Sequence, residues 1–393
     1  MDDIAARRSR LFTRLSCLGH GANDTYWFVL PIILPLILEH FGLRYAGAGG
    51  ILTGFLITIA LCSIVAGRLS DRFPRRIFVY LGFFAASGGL LIAAFTDRIV
   101  PFSAFVLVAA VGVSTYHPVI YALINDTVTE RRGKVFAQFE FTGLATLLGV
   151  MFISGLLLRS IGWRAVLIMA TLPGFIIGVL FMAKGKRLPL SQHHGAGDDT
   201  PAKLRVQVSV FVLFLAAVSL RQLTVTAALN FAPTYLVKAM GLSPTFATYI
   251  TACYFAGGMV VTYLISRVID RSGPFLIMHA ATLIMAPLIA ALSFRIPLWS
   301  APLVFLAFGG VASAAMPAQN LILTKMAGTT GKGQAFGLLM GITTITASLS
   351  PGIFGVLADT TGLQATMRMV SVPALLSWIL LFLLHRTSGR WSS

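Results

Sequence analysis

The sequence predicts an all-α membrane protein whose transmembrane helices form two pseudo-symmetric six-helix bundles. Composition is the first reason. Hydrophobic residues make up 57% of the 393 residues and charged residues only 11%, against about 25% charged in soluble domains. The mean hydropathy of +0.86 agrees with this. A chain this apolar is not expected to be disordered, a soluble enzyme or a DNA-binding domain, so its net charge of +17 does not indicate a nucleic-acid partner.

Long apolar runs are the second reason, and they define the helices in order along the chain. A helix that crosses the hydrocarbon core of a membrane needs about 20 apolar residues. Twelve runs are long enough, and they lie at about 16–40, 46–70, 76–96, 101–127, 134–159, 163–184, 206–237, 243–269, 274–294, 299–326, 333–358 and 363–386.

The positions of the cations predict how these helices are oriented. The N-terminus, every second loop, the central loop and the C-terminus hold 22 of the 30 lysines and arginines. Because positive loops stay in the cytoplasm, we expect both termini there, in a multi-pass protein of the inner (plasma) membrane. Anionic membrane lipids are then the expected partners of this charge. Arg221 and Arg368 lie inside predicted helices, and Arg368 is expected to pack near the outer interface.

An internal repeat is the third reason. Asp71 and Asp270 are 199 positions apart, and Pro118 and Pro317 have the same separation. Parallel six-helix repeats place a substrate site at their interface, near the middle of the membrane. The predicted domains are an N-terminal bundle, a cytoplasmic linker and a C-terminal bundle, at residues 1–184, 185–205 and 206–393.

The loop after the second run carries a motif that identifies a family. Gly67-x-Leu-x-Asp71-Arg72-x-x-Arg75-Arg76 resembles the signature between the second and third helices of the major facilitator superfamily, although Pro74 replaces its usual glycine. The resemblance implies the major facilitator fold and alternating access. It also implies a cytoplasmic latch between conformations, for which we select Gly67, Asp71, Arg72, Arg75, Asp126 and Asp270. Ordinary positive-inside charge is the alternative, and it explains the arginines but not Asp71.

Two further segments resemble one branch of that family, the fosmidomycin-resistance type. They are Ser16-Cys-Leu-Gly-His20-Gly-Ala-Asn23-Asp24 in the first run and Ser114-Thr-Tyr-His117-Pro118 in the fourth. The chain departs from the pattern of the branch at Tyr116 and at Val119, where the branch has phenylalanine and glutamate. In the family fold, the first, fourth, seventh and tenth helices line the substrate cavity.

The first run places four polar or aromatic side chains on one helical face, namely His20, Asn23, Asp24 and Trp27. A charge inside a span costs about 2.5–3.5 kcal/mol on insertion scales, so Asp24 needs a reason. His20 lies one turn away and can share a proton with Asp24. We therefore predict a proton-coupling pair. The alternative is a structural pair that joins helices through Asn23.

The fourth and fifth runs extend this prediction. His117 lies at about the depth of Asp24, Tyr121 follows it by one turn, and Pro118 is expected to kink the helix. Glu140, nearer the cytoplasmic end of the fifth run, could relay protons or pair with an arginine of the loop. We assign His117 and Glu140 to proton coupling. Tyr121, with Asn23 and Trp27, is assigned to substrate binding.

Arg221 is the main candidate for substrate recognition in the second half. It lies near the centre of the seventh run, and its planar fork suits a carboxylate, phosphate or phosphonate. Gln222 and Asn230 lie two turns apart on one face of the same run, and Gln319 lies beside Pro317 in the tenth. We predict that these residues bind an anionic group of the substrate. The alternative for Arg221 is an ion pair with Asp24 or Glu140.

These features predict a proton-coupled secondary active transporter that exports a small anionic or amphiphilic compound, such as a drug. The alternative is a proton symporter that imports an anionic metabolite or a carboxylate siderophore. A membrane enzyme or sensor is a third hypothesis. It is disfavoured because the chain shows no nucleophile–base set and no soluble output domain. We expect a monomer with no cofactor and no resident metal, although His20, Asp24 and His117 could be read as metal ligands.

Overall fold

The computed structural model describes residues 2–127, 132–185, 208–294, 296–326 and 332–387. The described residues are almost entirely α-helical and contain no strand. Seven helices precede the central loop: α1 Asp2–His40, α2 Tyr45–Ser70, α3 Arg75–Ala94, α4 Ile99–Ser114, α5 Tyr116–Thr127, α6 Arg132–Ser160 and α7 Trp163–Lys184. Six follow it: α8 Val208–Lys238, α9 Pro244–Ser272, α10 Pro274–Leu292, α11 Ala301–Met326, α12 Lys332–Thr361 and α13 Leu363–Thr387.

Twelve spans in the described residues are long and apolar enough to cross a membrane, and each overlaps one predicted run. The prediction of an all-α protein with twelve transmembrane helices is therefore confirmed. The ends differ by a few residues, most at α1, which begins at Asp2 and not near residue 16. The arginine-rich start of the chain continues the helix beyond the apolar run.

The chain divides into two compact units. Unit 1 comprises residues 1–42 and 54–197, and unit 2 comprises residues 43–53 and 198–393. Helix α2 thus begins in unit 2 and continues in unit 1. The predicted N-terminal bundle, residues 1–184, instead contains the whole helix. The predicted linker lies almost wholly in 186–207, outside the described residues, and stays a prediction.

The same pattern of helix packing occurs within each unit. In unit 1, α1 packs on α6 and α7, and α3 packs on α4 and α7. In unit 2, α8 packs on α12 and α13, and α10 packs on α11 and α13. These helices occupy corresponding places in the two halves of the sequence, so the packing supports the predicted pseudo-symmetry.

The fourth span is broken at Thr115 into α4 and α5. Pro118 has no backbone N–H to donate to the carbonyl of Ser114, and its ring crowds that carbonyl. The hydroxyl of Ser63 on α2 donates to the Ser114 carbonyl instead, at 3.0 Å. The break agrees with the expected effect of Pro118 and places His117 and Tyr121 on α5.

Helix α2 begins against the end of α12. The carboxylate of Asp359 accepts hydrogen bonds from the backbone N–H groups of Tyr45 and Ala46, both at 3.0 Å. Arg44 adds an ion pair at 3.5 Å, but its side chain is 78% exposed while that of Asp359 is only 9% exposed. Asp359 therefore caps the N-terminus of α2, where an anion is favourable.

Candidate functional site

Asp24 lies between two imidazole rings inside unit 1. Its Oδ2 is 3.3 Å from Nε2 of His20, one turn earlier on α1, and its Oδ1 is 3.6 Å from Nε2 of His117 on α5. His20 is buried, and the two histidine rings meet edge to face with their centroids 5.2 Å apart. The structure thus brings together three of the residues that the sequence predicted for proton coupling.

A backbone group fixes the tautomer of His20. Its Nδ1 lies 2.7 Å from the carbonyl oxygen of Phe139 on α6, and the two rings stack. A carbonyl oxygen can only accept, so Nδ1 carries a hydrogen and donates it. Nε2 then faces the Asp24 carboxylate with either a second hydrogen or a lone pair. A lone pair opposite a carboxylate is repulsive, so this geometry favours one proton between the two side chains.

Helix α6 comes close to this pair because residue 143 is glycine. A Cβ at Gly143 would lie 2.7 Å from Oδ2 of Asp24 and 2.8 Å from Nδ1 of His20, which is too close for unbonded atoms. A Cβ at Gly149, further along α6, would meet nothing within 4 Å. Gly143 is therefore a positioning residue of the cluster, and the sequence analysis did not select it.

Glu140 also lies on α6, close enough to Asp24 to act on it electrostatically. Its Oε1 accepts a hydrogen bond of 3.1 Å from the hydroxyl of Tyr121. The ring of Tyr121 lies 5.8 Å from that of His117. Tyr121, predicted to bind substrate, therefore connects Glu140 to His117 and the other residues around Asp24.

Asn23 and Trp27 lie on the same face of α1, as predicted. The Asn23 amide donates to the carbonyl of Val113 on α4 at 3.2 Å and accepts from the Trp27 indole at 3.4 Å. The Trp27 and His117 rings meet edge to face at 6.4 Å. Asn23 thus joins two helices here, as the structural alternative expects, and substrate binding by either residue stays a prediction.

Within the described part of the chain, His20, Asp24 and His117 form a group that could hold a metal ion. One ligand atom from each lies within 4.8 Å of the others. A carbonyl oxygen that accepts from the second ring nitrogen, as Phe139 does for His20, is also common behind metal-bound histidine. The same spacing suits a shared proton, which needs no further ligand.

Arg221 lies on α8 in unit 2 and is 1% exposed. Its Nη2 donates to Oε1 of Gln319 on α11 at 2.7 Å and lies 3.9 Å from the sulfur of Met316. Its Nε has no hydrogen-bond partner among the described residues. Burying a charge is expensive unless the charge is paired, and both side chains hydrogen-bonded to Arg221 in this unit are neutral. Such a guanidinium can take up an anion.

Tyr254 on α9 also lies close enough to Arg221 for an electrostatic interaction. Helix α9 packs tightly on α11, since a Cβ at Gly309 of α11 would collide with the Tyr254 carbonyl oxygen. This close packing holds Tyr254 near Arg221. Neither Tyr254 nor Met316 was selected from the sequence. A tyrosine in an apolar helix gives no signal by itself, since only the tertiary packing brings it to Arg221.

The other residues predicted beside Arg221 lie further from it along α8. Asn230 is nine residues away, about 13 Å along the helix axis, and its amide donates to the carbonyl of Thr226 at 2.8 Å. Gln222 is partly exposed. Gln319 is thus the predicted partner that the structure places on Arg221, and the roles of Gln222 and Asn230 stay predictions.

Four residues of the predicted latch lie between the last turn of α2 and the first turn of α3, namely Gly67, Asp71, Arg72 and Arg75. Asp71 pairs with Arg75 one turn later, at 3.2 Å, and Arg72 is exposed. A Cβ at Gly67 would lie 3.8 Å from that of Pro118, an ordinary contact, and the role of Gly67 in a latch stays a prediction. The side chains of Asp126 and Asp270 are outside the described part of the chain.

Arg368, the second arginine inside a span, lies on α13. Its guanidinium carbon is 5.4 Å from the centre of the Phe294 ring, a cation–π contact. Phe294 lies just past the end of α10, and the Arg368 side chain is exposed. The expected position of Arg368 near the outer interface stays a prediction.

Comparisons with known proteins agree with this architecture. The fosmidomycin resistance protein of Escherichia coli K12 is 22% identical over 387 residues, covering 93% of this chain and 91% of that protein. The gentisate transporter of Corynebacterium glutamicum is 23% identical over 383 residues, covering 93% and 85%. Among solved structures, a bacterial homologue of the human lysosomal transporter Spinster, in an inward-facing and unoccupied conformation, superposes with a TM-score of 0.83. It has 15% identity and covers 98% of each chain.

The family model of the Major Facilitator Superfamily matches residues 16–220 and 213–393, nearly the whole chain. The match includes every helix of both units and both buried polar sites. The protein is therefore a multi-pass membrane transporter for small molecules, not an enzyme, and it belongs to the Major Facilitator Superfamily.

Proposed function

We propose that this transporter is proton-coupled and exports a small anionic or amphiphilic compound by alternating access. Asp24, with His20, His117 and Glu140, takes up and releases the proton. Arg221, with Gln319, binds the anionic group of the substrate. The observation that carries the proposal is the buried guanidinium of Arg221, whose side-chain hydrogen bonds within its unit go to neutral groups.

The proton part of the proposal rests on the contacts of His20. Since Phe139 fixes its Nδ1 hydrogen, Nε2 and the Asp24 carboxylate 3.3 Å away are arranged to share one proton. Releasing that proton leaves a lone pair opposite a carboxylate, which favours a rearrangement of α1 or α6. Protonation can therefore be linked to a conformational change.

The anion part of the proposal rests on the burial of the Arg221 side chain away from solvent. With 1% exposure, its side chain cannot meet a dissolved anion until the surrounding helices open. Gln319 holds Nη2 in the meantime. Binding of a carboxylate or phosphonate would replace this neutral partner with a charged one, and the planar guanidinium can pair with such an anion through two parallel hydrogen bonds.

The relatives agree with this class of substrate. One is named for resistance to fosmidomycin, a phosphonate, and another for transport of gentisate, an aromatic carboxylate. Both anions suit the fork of Arg221. Proton-coupled import of such an anionic metabolite is the second candidate, because the same carrier cycle runs in either direction.

A thermal-shift measurement on the purified full-length protein tests the proposal. Fosmidomycin and gentisate are added at about pH 6 and about pH 8, with the neutral methyl ester of gentisate as a control. A ligand at 100 times its Kd stabilises a protein by about 2.7 kcal/mol. We expect at least one anion to raise Tm, the ester to have no effect, and Arg221→Ala to abolish the shift.

Two controls complete the test. Arg267→Ala removes an exposed arginine that stacks on Tyr263, and it should keep the shift. Metal analysis of the purified protein tests the other use of the histidine cluster, and stoichiometric metal that His20→Ala removes would replace the proton proposal. An anion shift that survives Arg221→Ala would contradict the anion proposal.

The sign of the pH dependence separates the two directions. In an exporter driven by proton entry, proton and substrate bind alternately, so the anion should stabilise the protein less at the lower pH. In an importing symporter they bind together, so the anion should stabilise it more at the lower pH. We expect the first result.

A further inference from the structure

A cavity of about 830 Å³ lies in unit 1 between residues 9–18 of α1 and residues 135–142 of α6, and its lining residues belong to neither site described above. Arg10 and Arg14 line it from α1, one turn apart, so both guanidinium groups can reach the same space. Thr13 and Gln138 add neutral hydrogen-bonding groups. Among the described residues that line the cavity none is acidic, and Arg10 and Arg14 are the charged ones.

The lining of the cavity changes from polar to apolar along α1. Arg10 and Arg14 come first on α1, and Leu18 follows one turn later with 55% of its surface exposed. On α6 the lining residues are Val135, Gln138, Phe141 and Thr142, and Phe141 is 60% exposed. Since both helices enter the membrane in this direction, the charged end of the cavity lies at the membrane surface and the apolar end lies deeper.

We propose that this cavity binds the phosphate of an anionic phospholipid from the leaflet that the N-terminus faces. Two arginines and neighbouring hydroxyl and amide groups suit a phosphate, which accepts several charge-assisted hydrogen bonds. Leu18 and Phe141 lie where the acyl chain of a bound lipid would begin. A free phosphate ion would use the arginines but would leave this apolar surface uncovered.

The order of the residues favours a lipid over a dissolved anion. In a phospholipid the phosphate and the acyl chains occupy successive depths, as the arginines and the apolar side chains do here. Arginine near an anionic membrane surface gains about 1 kcal/mol from the surface potential. The cavity combines this attraction with an open volume of about 830 Å³, typical in size of a small-molecule site.

The test measures lipid binding to the full-length protein in detergent, with four probes. These are phosphatidylglycerol, phosphatidylcholine, glycerol 1-phosphate and inorganic phosphate. We expect phosphatidylglycerol to raise Tm, phosphatidylcholine to do so much less, and the two soluble phosphates to have no effect at the same concentration. An equal shift from inorganic phosphate would overturn the lipid assignment.

Two double variants test whether phosphatidylglycerol binds in this cavity. The double variant Arg10→Gln, Arg14→Gln should bind phosphatidylglycerol about ten- to thirtyfold more weakly. The matched control is Arg267→Gln, Arg271→Gln, which removes two exposed arginines with the same spacing at the end of α9. Equal weakening by the control pair would show that only total charge matters and would overturn the proposal.

A third variant covers the case in which the double variant does not fold. Phe141→Ala removes an exposed side chain from the apolar end and leaves both arginines in place. It should weaken binding of phosphatidylglycerol, whereas the same change at Phe152, an exposed residue of α6 outside the cavity, should not. If Phe141→Ala binds the lipid like the unchanged protein, the cavity is not the site. None of these outcomes depends on the proton or anion proposals.

Discussion

Nε2 of His20 lies 3.3 Å from Oδ2 of Asp24, one turn away on the same helix. The other ring nitrogen donates to the carbonyl oxygen of Phe139, so the nitrogen that faces the carboxylate is the one free to gain or lose a proton. This relationship links a titratable group to the contact between α1 and α6. The first two predictions follow from it.

Replacing Asp24 should remove the pH dependence of substrate binding. Asp24→Asn keeps the shape of the side chain but cannot share a proton with His20 in the same way. We expect the anion-induced rise in Tm to become equal at about pH 6 and about pH 8. Asp97→Asn, at a side chain that is 79% exposed, should keep the pH dependence of the unchanged protein. If Asp24→Asn keeps it too, Asp24 is not the coupling group.

Adding a methyl group at Gly143 should disrupt the same cluster without changing any charge. Gly143→Ala would place Cβ 2.7 Å from Oδ2 of Asp24, so α6 must move away or the pair must separate. Overpacking of this kind costs about 1–3 kcal/mol, which should appear as a lower Tm and a weaker pH dependence. Gly149→Ala on the same helix has free space and should be neutral or slightly stabilising. Equal effects of the two variants would mean that the close approach at Gly143 has no importance.

How much of this cluster the sequence could predict depends on the kind of group. His20 and Asp24 were predictable because their spacing of four residues puts them on one helical face. The role of Phe139 was not, because a backbone carbonyl is the same in every residue and only packing selects one of them. Gly143 was missed for a related reason: a glycine in an apolar helix has many uses.

Replacing Gln319 with an acid should give Arg221 a permanent counter-ion. Gln319→Glu has nearly the same shape, and its carboxylate would occupy the position of an Oε1 that now lies 2.7 Å from Nη2. We expect a higher Tm without ligand, because close charge pairs are coupled by about 1.5–7 kcal/mol, and we expect no further rise when anions are added. Gln364→Glu is the control, at a partly exposed position of α13 to which no role is assigned, and it should keep the anion response.

The Arg221 side chain itself gives a second test of the same site. A buried charge without an ionic partner destabilises the free protein, so Arg221→Met should raise Tm while it abolishes the anion response. If Arg221 instead belonged to a permanent ion pair, the same change would lower stability by about 3–5 kcal/mol. The direction of the change in Tm therefore decides between the two interpretations of Arg221.

The cap of α2 should contribute measurably to stability. Asp359→Ala leaves the N–H groups of Tyr45 and Ala46 without their partner, at a cost of about 1–2 kcal/mol. Arg44→Ala removes only an exposed ion pair with the same carboxylate and should change stability by less than about 1 kcal/mol. Denaturation of the two variants in one detergent provides the comparison. Equal losses would show that the ion pair, not the helix cap, is the stabilising contact.

The fold was more predictable than the long-range contacts. Twelve apolar runs and their charges define twelve spans, because a membrane imposes length and composition on each helix. Pro118 similarly indicated the break in the fourth span. The contact of Asp359 with α2 joins residues 314 positions apart, and Tyr254 reaches Arg221 from a different helix. Such contacts depend on helix packing, which composition and periodicity do not specify.

Transport driven by a pH gradient tests the central claim most directly. The protein is placed in vesicles that are more acidic inside, and uptake of the anion that gives the largest thermal shift is followed with and without the gradient. We expect the unchanged protein and Asp97→Asn to accumulate the anion inside, and Asp24→Asn to exchange labelled for unlabelled anion without accumulating it. Accumulation by Asp24→Asn equal to that of the unchanged protein would contradict the assignment of the proton to Asp24.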